Sequence, residues 1–302
     1  MSPTPTLSLS LRNFAAEAPG SWEPVLQRAR AADAAGVDRV VVADHVVFGE
    51  RLDDYGRPEL GGAEGGQQPT GPDGHWLEPL TLLTVIGAQT SRVRLMTGIL
   101  LAPLRTPAVL AKQAATIDVL TDGRLDLGVG VGWQDAEYAA SGLDFHQRGR
   151  LLDRTLDICQ RLWRDDVADY DDGEVAFARI HQMPKPVHAG GVPVWVSGRS
   201  TNAKVVERVV RFGAGWIPWG DDGRDPRPGI ERMHAALAAA GREPSALQVT
   251  ASLPADLDEV PALTAAGITD FRIAGRVADD ELPALVAAFS AASGGGPVPA
   301  PR

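Results

Sequence analysis

The chain has 302 residues, of which 44% are hydrophobic and 23% charged, enough to bury a full core without disulfides or a structural metal. Its formal net charge of −10 argues against nucleic acid or a membrane surface as partner, because both call for a basic face. The first ten residues lack the basic stretch and apolar run of a secretory signal, and no segment is long and apolar enough to span a bilayer, so a cytoplasmic protein is expected.

Taken in order, short runs rich in β-branched residues predict eight buried strands: Leu7–Leu11, Arg39–Val46, Val93–Leu101, Leu125–Val131, Pro193–Ser197, Gly215–Trp219, Leu247–Ser252 and Asp270–Ala274. Segments of helical period alternate with them: Trp22–Ala35, Pro79–Gln89, Pro107–Leu120, Arg148–Trp163, Asn202–Phe212, Pro228–Ala240, Val260–Ala266 and Glu281–Ala291. Gly36, Gly213 and Gly267 follow three of these helices, where a left-handed residue ends a helix before the chain turns. Thr106-Pro107 predicts an N-cap and first turn, and Asp122-Gly123 a tight turn.

Continuous hydrophobic strands separated by helices predict a parallel sheet covered on its outside. Eight such units suit a closed (β/α)8 TIM barrel, α/β in class, with insertions at its C-terminal face. The alternative, a doubly wound sheet, would carry a glycine-rich turn after its first strand, and Arg12–Ala16 has none. One domain over residues 1–293 and a disordered Gly/Pro-rich tail over 294–302 are expected. Phe48 to Glu78, rich in glycine and proline, follows the second strand and predicts a lid over the barrel mouth. Arg164 to Val192, acidic and then proline-bearing, predicts an excursion before the fifth strand.

Cys159 falls in the series Leu152, Leu156, Cys159, Trp163, one face of a helix, which predicts a core thiol. With no Cys/His cluster in the chain, no metal is expected.

Barrel chemistry is read at the C-terminal ends of the strands. The second strand ends in Asp44-His45, a carboxylate and an imidazole able to enter one pocket, the imidazole as donor or base; loop and helix capping is the plainer reading of the pair. In the third, Gly98 within Thr97-Gly98-Ile99 marks close approach by a backbone or a ligand. The fourth runs into Gly128-Val129-Gly130-Val131-Gly132-Trp133 with Glu137 and Tyr138 on a following helix, a tip against which a planar or phosphorylated ligand can lie. Ser197-Gly198-Arg199-Ser200 before a helix forms a candidate phosphate cradle, with ordinary capping as its alternative. Trp216 and Trp219, three apart, point to opposite faces, one toward core and one toward the site.

At these residues the sequence resembles the bacterial luciferase-like flavin and deazaflavin oxidoreductases, from about Leu7 to Ala291. The resemblance is carried by the stretch from Leu95 to Pro103, Arg105-Thr106-Pro107, Ala111-Lys112-Gln113, Asp122 to Leu125, Gly128 to Trp133, Pro193 to Ser200 and Gly213 to Trp216. It implies a cofactor ring across the barrel mouth and a non-proline cis peptide at Gly98–Ile99 beneath it. The Asp44-His45 dipeptide and the Gly132-Trp133…Glu137 pattern are similar to the branch that uses coenzyme F420, a deazaflavin that transfers hydride. On that resemblance His45 handles a proton near the ring, Asp44 orients His45, and Thr97, Gly98, Ile99, Gly130, Gly132, Trp133, Glu137, Ser197, Gly198, Arg199 and Ser200 contact the cofactor. The glutamate tail of that coenzyme calls for basic residues, for which Arg105, Arg199 and Arg51 or Arg57 are candidates. FMN, with oxygen and a partner flavin reductase, is the alternative. A non-catalytic flavin-binding homologue and a carboxylate-based barrel hydrolase are further alternatives. A small-molecule substrate and a homodimer are the expected partners.

Overall fold

The computed structural model describes residues 4–198, 202–273 and 277–294. Its centre is a closed barrel of eight parallel strands: β1 Thr6–Ser10, β2 Arg39–Val42, β3 Arg94–Leu100, β4 Leu125–Val129, β5 Val194–Gly198, β6 Gly213–Pro218, β7 Gln248–Ser252 and β8 Asp270–Ile273. Each strand pairs with the next in sequence, and β8 closes on β1. The surrounding helices are α1 Glu23–Ala35, α2 Pro79–Gln89, α3 Pro107–Leu120, α4 Arg148–Arg164, α5 Ala203–Phe212, α6 Arg227–Ala239, α7 Val260–Ala265 and α8 Leu282–Ala292. The α/β barrel expected from the alternation is the observed fold.

The second strand is shorter than its apolar run predicts. From Ala43 the backbone is taken by a side chain instead of a neighbouring strand: Ala43 N donates to Asn13 Oδ1 (3.1 Å), and Asn13 Nδ2 donates to Ala43 O (2.9 Å). Val46 and Val47 consequently stand exposed on the loop.

Gly36 and Gly267 hold the left-handed backbone expected of them, at φ 88° and 100°. Gly213 does not; it is extended at φ −74°. Its glycine answers to space, because a Cβ there would lie 2.9 Å from Val209 O. Pro107 opens α3 as expected, but Thr106 makes no side-chain capping bond.

The excursion before β5 contains an antiparallel hairpin, Ala168–Asp171 with Ala176–Ile180. Asp172 Oδ1 shapes its turn by accepting from Glu174 N (3.1 Å) and Val175 N (2.9 Å), and Arg154 of α4 ties it down through Asp172 (2.6 Å). The Phe48–Glu78 segment is built of two short 3-10 turns, Leu52–Gly56 and Pro58–Leu60, and ends in a strand pair of His75–Trp76 with Phe14–Ala15. Most of the expected tail, 295–302, lies outside the described residues.

Two cores result. The larger lies between strands and helices and includes Cys159, buried as expected, its thiol pushed up by burial. The smaller lies inside the bore, where Val41, Met96, Trp195 and Ile217 meet. Below it, at the N-terminal end, sits a charged layer. Arg39 donates to Asp126 (3.0 Å) and pairs with Asp270, while Arg94 clasps Asp126 (2.8 Å). Asp270 also accepts from Thr6 and Ser8 (both 2.9 Å) and from Thr250 (3.2 Å), so one carboxylate joins β1, β2, β7 and β8.

Candidate active site

At the opposite, C-terminal end the strands open into a cavity of about 600 Å³. The lid roofs it: Trp219 Nε1 donates to Gly62 O (3.2 Å), and Tyr55 lies between the rings of Trp133 and Trp219 at 5.4 and 6.3 Å. Trp216, as the spacing implied, points the other way into the core, where Nε1 donates to Gly198 O (2.7 Å).

Asp44 and His45 both line the cavity, but they do not work as a pair. Asp44 Oδ2 accepts from Leu101 N (2.8 Å) and Arg105 Nη1 (2.6 Å). Arg105 Nη2 then bridges to Glu78 Oε1 (3.0 Å). Burial pushes the Asp44 carboxyl up, and Arg105 opposes that push. The expectation that Asp44 orients His45 is therefore corrected: successive residues leave the chain in different directions, and Asp44 faces β3. The residue on His45 is Glu137, whose Oε2 is 3.2 Å from Nδ1. Its other oxygen accepts from Val46 N (2.9 Å), and the carboxylate is fully buried. Phe48 and Trp76 hold the imidazole at ring separations of 4.4 and 4.9 Å.

Glu137, expected against the cofactor, thus stands behind His45 and outside the cavity lining. Thr97 is likewise corrected: its hydroxyl donates to Gly128 O (2.8 Å), it is fully buried, and it clamps β3 to β4. Gly98 and Ile99 do line the cavity, and the peptide between them is cis. Gly130, Gly132 and Trp133 line it too. A Cβ on Gly130 would run into Ile99 Cδ1, so this glycine keeps the floor flat. Ser197 and Gly198 line the cavity beside Asn202, which caps α5 by accepting from Lys204 N (2.9 Å). Arg199 and Ser200 lie outside the described residues.

Three lining arginines escaped sequence reasoning. Arg208 pairs with Asp153 (2.6 Å). Arg148 donates to Phe145 O (3.1 Å) and lies over the Phe145 ring at 3.9 Å, with no carboxylate on it. Arg272, within the apolar run Phe271-Arg272-Ile273, carries a signal that went unused: a cation at an inward position of a buried strand needs an explanation. Of the arginines proposed for a polyanionic tail, Arg199 lies outside the described residues and the other three are engaged elsewhere. Arg105 is held as described, Arg51 by Asp135 and Asp54, and Arg57 by Glu59 and Asp54.

The residues present fit a planar ring with an anionic chain. The Gly98–Ile99 peptide and Gly130 make a flat floor, and among the described residues Trp133 Nε1 and Gln68 Oε1 are buried at the cavity without partners and Arg148 has no acid on it. Among the described residues no His/Cys/Asp/Glu group could hold a metal ion, and no helix is long and apolar enough to cross a membrane.

Comparison with known proteins gives a consistent picture. The model of the luciferase-like monooxygenases matches residues 7–276. An uncharacterized protein of Mycobacterium tuberculosis is 32% identical over 206 residues, covering 68% of this chain and 72% of the relative. The coenzyme F420 dependent tetrahydromethanopterin reductase of Methanopyrus kandleri superposes with a TM-score of 0.60 at 14% identity, over 82% of this chain and 65% of that one. The oxygenating constituent of 3,6-diketocamphane monooxygenase from Pseudomonas putida, solved with FMN, also gives 0.60, at 17% identity over 83% and 67%.

Proposed function

Because this chain belongs to the luciferase-like monooxygenase family of oxidoreductases, we propose that its cavity holds a deazaflavin of the coenzyme F420 type and that hydride passes between this ring and a small organic substrate. The observation that carries this reading is the His45–Glu137 pair beside the flat Gly98–Ile99 floor.

When bound, such a ring supplies the hydride chemistry, and the protein supplies position and electrostatics. Glu137, itself anchored on Val46 N, fixes the His45 ring through Nδ1. The proton that His45 gives or takes is then the one on Nε2. Phe48, Trp76 and Trp133 crowd the imidazole and keep bulk water away from it. Asp44 acts at one remove: by gripping Leu101 N and Arg105 it holds the chain just after the floor peptide. Ser197, Gly198, Asn202 and Arg148 supply the polar end for a phosphate, on the tip of β5, the start of α5 and the start of α4.

FMN is the second reading. It is favoured by the ion pairs that Arg51, Arg57 and Arg105 already make, because a glutamate tail would have to compete for them with Asp135, Glu59 and Asp44. Under it the substrate would be oxygenated, with a separate flavin reductase as partner. Titrating the apo-protein with each cofactor and following tryptophan fluorescence tests both. Selective binding of the deazaflavin supports hydride transfer, selective binding of FMN replaces it with oxygenation, and binding of neither removes the redox reading.

A further inference from the structure

Arg272 stands on β8, and its Nε and Nη2 are buried without any hydrogen-bond partner among the described residues. The carboxylate nearest in sequence on the same strand face, Asp270, is already filled by Arg39, Thr6, Ser8 and Thr250. The other carboxylate of the bore, Asp126, is filled by Arg39 and Arg94. Arg39 and Arg94 thus take up the side-chain bonds of both carboxylates, and Arg272, nearest the mouth, feels Asp270 through space without a bond from it. Burial pushes the Arg272 pKa down, as expected of a cation short of a counter-charge.

The guanidinium is not sealed in the core. Arg272 lines the cavity together with Thr250, Ser252 and Ser197, and a Cβ placed on Gly98 would lie 3.6 Å from Nη1 and 3.9 Å from Nη2. In register, Ser252 is the neighbour of Arg272 on β7, which puts a hydroxyl on the same face of the barrel. The acids of the lining give no relief, since Asp44 is held by Arg105 and Glu59 by Arg57. Leaving a buried charge unpaired is costly unless something supplies its partner.

We propose that Arg272 and Ser252 form the seat for an oxyanion on the substrate, so that this enzyme acts on a small organic acid or phosphate ester. A guanidinium offers parallel N–H donors matched to a carboxylate or phosphate edge, and a neutral oxygen would accept from them without supplying the missing negative charge. The seat rests on the oxidoreductase reading for its place in a reaction, but not for its binding. It lies on β8, three strands round the barrel from the phosphate end at β5, so it marks a second anionic point in the same cavity.

The test uses the full chain without cofactor, titrated with sodium benzoate, phenyl phosphate and benzyl alcohol by calorimetry. At least one anion is expected to saturate, with benzyl alcohol tenfold weaker or worse. Arg272→Met should abolish that difference, while Arg272→Lys keeps part of it. In the part of the binding that Arg272→Met removes, preference for benzoate identifies a carboxylic acid as the natural class and preference for phenyl phosphate a phosphate ester, any remainder belonging to the phosphate end at β5. Equal or absent binding of all three overturns the proposal, and so does an Arg272→Met protein that binds anions like the wild type. If the Met variant does not fold, the anion-to-alcohol ratio in wild type and the Lys variant decides in its place. Anion binding on Arg272 without flavin binding would sink only the redox reading, and flavin binding without anion preference only this seat.

Discussion

At the N-terminal end of the bore, Arg39, Arg94, Asp126 and Asp270 satisfy one another and, with Thr6, Ser8 and Thr250, tie six strands together. At the C-terminal mouth, Arg272, Trp133 and Gln68 keep buried polar atoms with no partner. Both ends are lined by the same eight strands, so the difference is not one of fold. It lies in which strand positions carry charge and whether the neighbouring strand returns the opposite one. A saturated end can only hold the barrel shut, whereas an unsaturated one is unfinished until a ligand arrives, in keeping with the division of labour known for this architecture.

Substitutions at each end should therefore part company, and the largest effect is expected at His45. His45→Ala should lower kcat about 100-fold to 10,000-fold, the usual worth of a positioned acid–base group, while cofactor affinity measured by fluorescence titration stays within a few-fold. Unchanged turnover would remove His45 from the chemistry. At the saturated end Asp270→Ala should cost about 3–5 kcal/mol in denaturant unfolding, because it takes from buried Arg39 one of its two carboxylates and from Ser8 and Thr250 their acceptor. A loss below about 1 kcal/mol would mean that the layer does not hold the barrel closed. Glu137→Gln comes next, with about 1.5–3 kcal/mol of transition-state stabilisation lost from the charge-assisted bond, or 10-fold to 100-fold in kcat. KM should barely move and the pH profile should shift; a KM change alone would assign Glu137 to binding instead.

The pH response of the saturated end has a definite sign. Burial would raise the Asp126 carboxyl, but the bonds and charges of Arg94 and Arg39 hold it below the usual carboxylate range. Its contribution is present above that range and is lost as pH falls through the lowered value. Urea midpoints should therefore stay level down to the ordinary carboxylate range and fall below it, and the fall should shrink in Asp126→Asn. The smallest effect is expected for Arg272→Met, whose Tm should match or exceed that of wild type, since it removes an unpaired charge. A lower Tm would show that Arg272 supports the fold as the lower layer does.

Most of the barrel was legible because its signal is local. Runs such as Arg94 to Leu100 and Leu125 to Val129 are bounded by turns, and α2 and α3 begin and end where periodicity and proline place them. The hairpin at 168–180 was not, because its strands are only four and five residues long, mostly exposed and set inside a stretch read as an excursion. That His45 and the Gly98–Ile99 peptide would lie at the barrel mouth was legible, whereas the contact made by Glu137 was not. Pairing of His45 with Glu137 spans 92 positions, and nothing in the dipeptide Asp44-His45 says that its two side chains part. Arg148 and Arg272 were passed over because unpaired charge is a property of surroundings; only when Asp270 is seen to be fully occupied does Arg272 stand out.

The roof of the cavity is fastened at more than one place. Gly62 takes a hydrogen bond from Trp219 beyond β6, Tyr55 packs against Trp133 beyond β4, and Arg51 grips Asp135. Opening it requires parting several weak contacts together, each worth about a kcal/mol or so. These contacts predict that release of product depends on the latch as well as on the chemistry beneath it, read as a release rate in stopped-flow fluorescence. Trp219→Phe, which cuts one strap and leaves the ring, would speed that release and make exchange faster than turnover.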